Sequence, residues 1–326
     1  MDRISPESQT TASTAAASTA QWPSIAIVGA GAVGAYFGAR FAQAGAPVVM
    51  IGRKPFVDAV ERNGLTIETS GESLTLHVPV STDLSSCRGA QLVLLCVKTV
   101  DIVSTARALK PYLSTDTVLL TMQNGVESAG QVRAIIHCDA VPAVVYVAVA
   151  MPSPGRVRHF GRGDLVVGTD AASARVAAVC ERAGVPCRVT EYIEGELWSK
   201  LLMNCALNAL SALGRSNYGH ILECLPAYSL MESIVSEFMQ VASAVQVCLP
   251  GIADTAAAMD AVRRLVAQMP GQHSSMAQDL TRGRRTEIDA LNGYIQRRAA
   301  QLGIAAPANQ TLYALIKLVE TAKGGD

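Results

Sequence analysis

The chain of 326 residues has little charge: 17% of its side chains are Asp, Glu, Lys or Arg, and 27 basic groups cancel 27 acidic ones. With no long basic run there is no row of cations to neutralise phosphates, so no nucleic acid is expected as a partner. Long apolar runs are also missing. The longest, Ala140 to Met151, contains Pro142 and falls short of the ~18 residues a membrane helix needs, which leaves no expectation of a membrane. The eight cysteines include no C-x-x-C pair and sit mostly inside apolar segments. They read as reduced thiols of a cytoplasmic protein rather than as zinc ligands or a redox pair. No His/Cys/Asp cluster has ligand spacing, none of the five histidines stands in a catalytic context, and no metal is expected.

Half of the residues are apolar, enough to bury, and the length suggests about two domains. From Ser8 to Ala20 every residue except Gln9 is Ser, Thr or Ala, so residues 1–22 are expected to form a flexible, untargeted tail. Short apolar runs then alternate with amphipathic stretches: Ile25 to Val28, Val33 to Ala44, Val48 to Ile51, Leu92 to Val97, Val118 to Met122 and Val141 to Met151. That alternation predicts an α/β class with a Rossmann-type, doubly wound parallel sheet over residues 23–190. Arg156 to Phe160 and Leu165 to Gly168 flank Gly161-Arg162-Gly163, whose composition predicts a hairpin turn. Beyond Glu191 the periodicity becomes helical (Gly195 to Leu213, Ala227 to Cys248, Thr255 to Gln268, Ser275 to Gln301, Ala308 to Thr321), predicting an all-α second domain over 191–326.

Gly29-Ala30-Gly31-Ala32-Val33-Gly34 follows the first strand and opens a helix, the context in which G-x-G-x-x-G binds a dinucleotide. The pyrophosphate would meet the exposed N–H groups and positive end of that helix. The second strand ends in Ile51-Gly52-Arg53-Lys54, with no acid until Asp58. A ribose 2′-hydroxyl calls for a carboxylate there and a 2′-phosphate for cations, so NADP(H) is expected over NAD.

Lys200 is the only formally charged side chain from Leu197 to Leu213, and Asn204 and Asn208 follow four and eight residues later. At ~100° per residue the three form one stripe on an apolar helix. The stripe faces an internal hydrogen-bond network, solvent reached by a snorkelling lysine, or a ligand. A second polar cluster runs from His273 to Asp279 and from Arg284 to Asp289; Glu287, among apolar neighbours, is a carboxylate that could pair with Lys200 across a cleft.

Together these segments resemble the ketopantoate reductase (2-dehydropantoate 2-reductase) family. The likeness rests on the glycine turn, Gly52-Arg53, Val97-Lys98, Asn124-Gly125, Lys200 to Cys205 with Asn208, Ser274 to Met276 with Gln278-Asp279, Thr286 to Asp289, and Asn292 to Tyr294. The resemblance implies NADPH-dependent reduction of a 2-oxo acid, with Lys200 as general acid and Glu287 near the nicotinamide ribose and the reacting groups. It also implies that Asn204, Asn208 and Ser275 hold substrate, that Asn124 lies where nicotinamide and substrate meet, and that Arg53 and Lys98 contact NADP. Family members carry a further asparagine after the lysine helix, for which Asn217 and Tyr218 compete here, and a glutamine where this chain has Asp101. A homodimer is possible on this reading. Another NADPH-dependent 2-oxo or hydroxy acid dehydrogenase, or an NADPH-sensing regulator, are the competing functions.

Overall fold

The computed structural model describes residues 21–322; the Ser/Thr/Ala-rich stretch expected as a tail lies, but for Gln21 and Trp22, outside them. Trp22 packs on the first core, with the Arg182 guanidinium 3.8 Å from its ring centre. The first half runs β1 (Ile25–Val28), α1 (Ala32–Gln43), β2 (Val48–Ile51), α2 (Lys54–Asn63), β3 (Leu65–Glu68), β4 (Ser73–Leu76), β5 (Val80–Ser81), β6 (Leu92–Leu95), α3 (Ile102–Leu109), β7 (Val118–Thr121), α4 (Ser128–Arg133), β8 (Asp139–Ser153), β9 (Arg156–Gly168), α5 (Ser173–Arg182) and β10 (Cys187–Thr190).

These strands form one sheet ordered β4-β3-β9-β8-β7-β6-β1-β2-β5, with β10 beside β9. Its centre, β7-β6-β1-β2, is wholly parallel, and helices cover both faces, which is why these strands are unbroken apolar runs rather than alternating ones. From β1 the chain moves first to β2 on one side and later to β6 on the other, so the C-terminal ends of β1 and β6 flank the switch point where such sheets bind ligands.

The predicted hairpin at Gly161-Arg162-Gly163 is not there. β9 runs straight through those residues, and the turn is Pro154-Gly155, closing the antiparallel β8/β9 pair at Ser153 and Arg156. Gly161, Arg162 and Gly163 all take positive φ (151°, 59° and 139°), which serves β-bulges as well as turns; composition alone does not separate the two. The edge strands β4, β5 and β10, and β3 between β4 and β9, are short and partly exposed, and their apolar signal is too weak to predict them.

The second half is helical: α6 (Ile193–Gly214), α7 (Tyr218–Glu223), α8 (Leu225–Ala244), α9 (Thr255–Gln268), α10 (Ser275–Thr281), α11 (Asn292–Leu302) and α12 (Pro307–Ala322). α6 is its axis; Trp198, Leu201, Leu202 and Cys205 are all buried, with α8, α10 and α12 packed around them. The single long helix expected from Ser275 to Gln301 is broken after Thr281. Gly283 takes φ +62°, and the backbone N–H and Oγ1 of Thr286 both donate to the Glu320 carboxylate on α12, which anchors the connection between α10 and α11; within it Ile288–Ala290 form a short 3-10 turn.

Candidate active site

Two of the three glycines in the first turn are required by the protein's own packing. Gly29 has φ +97°, and a Cβ there would lie 2.6 Å from the Val97 nitrogen; one on Gly34 would collide with the Gly29 carbonyl oxygen. Gly31 is different: its φ is −76°, and a Cβ would meet nothing within 4 Å. What a side chain would obstruct there is a ligand's approach to the first turn of α1, whose N–H groups carry no side-chain cap. The turn therefore fits a dinucleotide pyrophosphate.

Arg53 stands at the N-terminus of α2 beyond β2, 91% exposed and 3.8 Å from Asp101, an ion pair too exposed to restrain it. Its neighbour Lys54 pairs with Asp58 at 2.8 Å. Lys98 reaches across to the helical half, donating to Asp279 Oδ1 and to the Arg285 carbonyl, each at 2.7 Å. Glu287 makes a second bridge between the halves: Oε2 accepts from Asn124 Nδ2 at 2.8 Å and Oε1 from the Thr99 N–H at 3.3 Å.

Between the halves lies a cleft of about 1010 Å³ that brings Lys200, Asn204, Asn208 and Ser275 together with Val33 of the glycine turn and Asn124. Lys200 is carried on α6 and donates to the Val145 carbonyl of β8 at 2.6 Å. Burial draws its pKa down from 10.5 to about 8; the Glu287 charge opposes that shift and the Arg162 charge adds to it. Glu287 thus acts on Lys200 through the field, while its oxygens are held by Asn124 and Thr99. Nδ2 of Asn204 is buried without a partner, one turn along the same helix. A buried amide without an acceptor is costly, and the ligand-facing reading of the polar stripe accounts for it.

Asn208 is buried and accepts from the Tyr218 hydroxyl at 3.3 Å. Tyr218, not Asn217, lines the cleft; the Asn217 side chain instead caps α7 by accepting from the His220 N–H at 2.9 Å. Ser275 opens α10 toward the cleft, and its neighbour Ser274 does the fastening: buried, it caps α10 at Ala277 and donates to the Asn208 carbonyl. Among the lining residues that sequence reasoning missed are Tyr146, Arg162, Asp164, Arg188 and Glu196. Tyr146 was hidden inside an apolar run and Arg162 inside a turn-like string; their only signal was a polar atom out of place in each.

A glycine-turn nucleotide fold joined to a helical unit, with a lysine and an unpaired amide in the cleft between, defines an NAD(P)-dependent oxidoreductase. The ketopantoate reductase PanE/ApbA description matches residues 25–171, and that of the PanE/ApbA C-terminal part matches residues 192–320. The chain belongs to this family. Over 304 residues it is 31% identical to the 2-dehydropantoate 2-reductase of Halobacterium salinarum, covering 91% of this chain and 98% of the relative. The Caulobacter vibrioides enzyme of the same name is 33% identical over 300 residues, 90% of this chain and 98% of that one. Among solved structures, a PanE/ApbA family ketopantoate reductase from Ralstonia eutropha superposes with TM-score 0.88 at 44% identity, covering 92% of this chain and 99% of that one. A D-mandelate dehydrogenase with NADH and anilino(oxo)acetate shares the fold, with TM-score 0.85 at 24% identity over 92% of this chain and 99% of that one.

Proposed function

We propose that this chain is an NADPH-dependent 2-dehydropantoate 2-reductase, reducing the 2-oxo group of its substrate to the 2-hydroxy group of pantoate. The observation that carries the reading is the pairing of the Lys200 ammonium with the unpartnered Asn204 amide in one cleft beside Asn124 and Val33.

NADPH, when bound, supplies the hydride. The N–H groups of α1 and the opening at Gly31 would hold its pyrophosphate, Arg53 its 2′-phosphate, and Asn124 the side of the cleft where nicotinamide and substrate meet. Lys200 polarises the keto oxygen and gives it a proton as negative charge develops, which a lysine of pKa about 8 does more readily than one near 10.5. Asn204, Asn208 and Ser275 orient the substrate without adding charge, and Glu287 holds Asn124 in place while its own charge offsets part of the fall that burial imposes on the Lys200 pKa. Eight free thiols agree with a cytoplasmic site.

The test is consumption of NADPH and NADH, side by side, on 2-dehydropantoate and a panel of other 2-oxo acids including an aryl one. Preference for NADPH and 2-dehydropantoate is the expected result; faster reduction of another acid replaces the substrate. Arg53→Ala should raise the KM for NADPH and scarcely alter that for NADH, and equal changes in both would remove the 2′-phosphate assignment.

A further inference from the structure

We propose that Arg162 anchors the carboxylate of the 2-oxo acid and so makes the pocket selective for anionic substrates. The inference rests on the function proposed above and deepens it.

Arg162 lies where β9 departs from its ladder with β8. Arg162 pairs with Val147 and Asp164 with Tyr146, leaving Gly163 as the extra residue of a bulge. Bulges re-aim side chains, and the left-handed backbone at Arg162 (φ 59°) sits between two glycines that also take positive φ. The outcome is a guanidinium 4.1 Å from the centre of the Tyr146 ring, the ring that the Lys200 ammonium approaches at 5.9 Å. Both cations line the cleft. Asp164 grips the guanidinium from one side, accepting from Nε at 3.0 Å and from Nη2 at 2.7 Å. Nη1 has no acceptor among the described residues, so the half-exposed fork is held by Asp164 along one edge with the other donor edge unused.

Two cations addressing one ring repel each other; Asp164 bonds directly to one of them, and Glu287 acts on the other only through its field. A 2-oxo acid offers the complement: its carboxylate is one bond from the keto carbon, so with the keto oxygen at Lys200 the negative charge falls on the same side of the pocket. A preorganised guanidinium with free N–H groups is the side chain best suited to receive it. Arg188 also lines the cleft, but it donates to Glu196 at 2.6 Å and does not stack on Tyr146.

The experiment compares steady-state KM and kcat for 2-dehydropantoate, at saturating NADPH, in the unaltered protein, in Arg162→Asn and in the double variant Arg162→Asn with Asp164→Asn. Asparagine tolerates the left-handed backbone and carries no charge. The expected result is a KM about tenfold to a hundredfold higher in both variants, with kcat changed less and NADPH affinity unchanged. An unchanged KM in the single variant overturns the proposal. So does recovery in the double variant, which would mean that the uncovered Asp164 carboxylate had been repelling substrate. If Arg162→Asn does not fold, Arg162→Lys carries the test: it keeps the charge and loses the planar fork, and an unaltered KM there overturns the anchor. Failure of the unaltered protein to reduce any 2-oxo acid overturns the functional reading and the anchor with it, whereas activity indifferent to these variants overturns the anchor alone.

Discussion

The Lys200 ammonium is bonded to the Val145 carbonyl at 2.6 Å, so the proton donor is held against β8 by a neutral acceptor, with no carboxylate ion-paired to it among the described residues. A neutral partner leaves burial free to weaken the ammonium, and its pKa falls to about 8.

Reduction needs the protonated form, so kcat should fall as pH rises through about 8. Lys200→Met should lower kcat by about 10²- to 10⁴-fold, the span of general-acid catalysis, while NADPH binding persists. The same substitution should raise the melting temperature at pH 7, because a partly buried charge is replaced by an apolar chain of similar reach. The sign follows from linkage: between about 8 and 10.5 the unfolded chain binds the lysine proton and the folded one does not, so stability climbs with pH across that window. Lys200→Met should abolish that climb. Thermal melts across pH and a pH–rate profile measure both effects.

Glu287 raises the pKa of Lys200 through its charge. Glu287→Gln removes the charge and can keep one of the two hydrogen bonds that now run to Asn124 and Thr99. The alkaline limb of the pH–rate profile should therefore move to lower pH, opposite in direction to the loss of a repelling cation such as Arg162. A limb that stays put would detach Glu287 from the proton donor.

Gly31 and Gly29 should respond oppositely to alanine. Gly31→Ala adds a methyl where no protein atom lies within 4 Å and leaves an ordinary φ, so the melting temperature should hold or rise slightly while the Kd for NADPH rises at least about tenfold. Gly29→Ala forces a Cβ against the Val97 nitrogen at φ +97°, and the protein itself should lose stability by about 1–3 kcal/mol or more. Calorimetric titration with NADPH and thermal melts separate the two.

The legible parts of this molecule were those in which local chemistry and tertiary role coincide. The glycine turn could be read because a tight turn, a close helix and a ligand opening all demand glycine in one short string. The stripe of Lys200, Asn204 and Asn208 could be read because helical spacing alone places the three together. Arg162 could not, since Gly-Arg-Gly suits a bulge as well as a turn, and only pairing with β8 decides between them. Nor could Asn217 and Tyr218 be ranked, because both are polar and one of them was needed to cap α7. The break between α10 and α11 depends on Glu320, far along the chain from Thr286, and no window of local sequence contains that contact.

Asn204 and Asn208 share a helix and a stripe, yet their substitution by alanine should differ in its effect on stability. Nδ2 of Asn204 has no partner in the protein alone, so Asn204→Ala removes an unmet donor and should leave the melting temperature level or higher. The same change takes away a donor for the substrate's oxygen atoms, and kcat/KM should fall about tenfold to a hundredfold. Asn208 is buried and already bonded to the Tyr218 hydroxyl. Asn208→Ala strands that hydroxyl and opens a small void, which should lower stability by about 1–3 kcal/mol. If instead Asn204→Ala melts early with kinetics unchanged, its amide faces the interior and the polar stripe belongs to the fold rather than to the substrate.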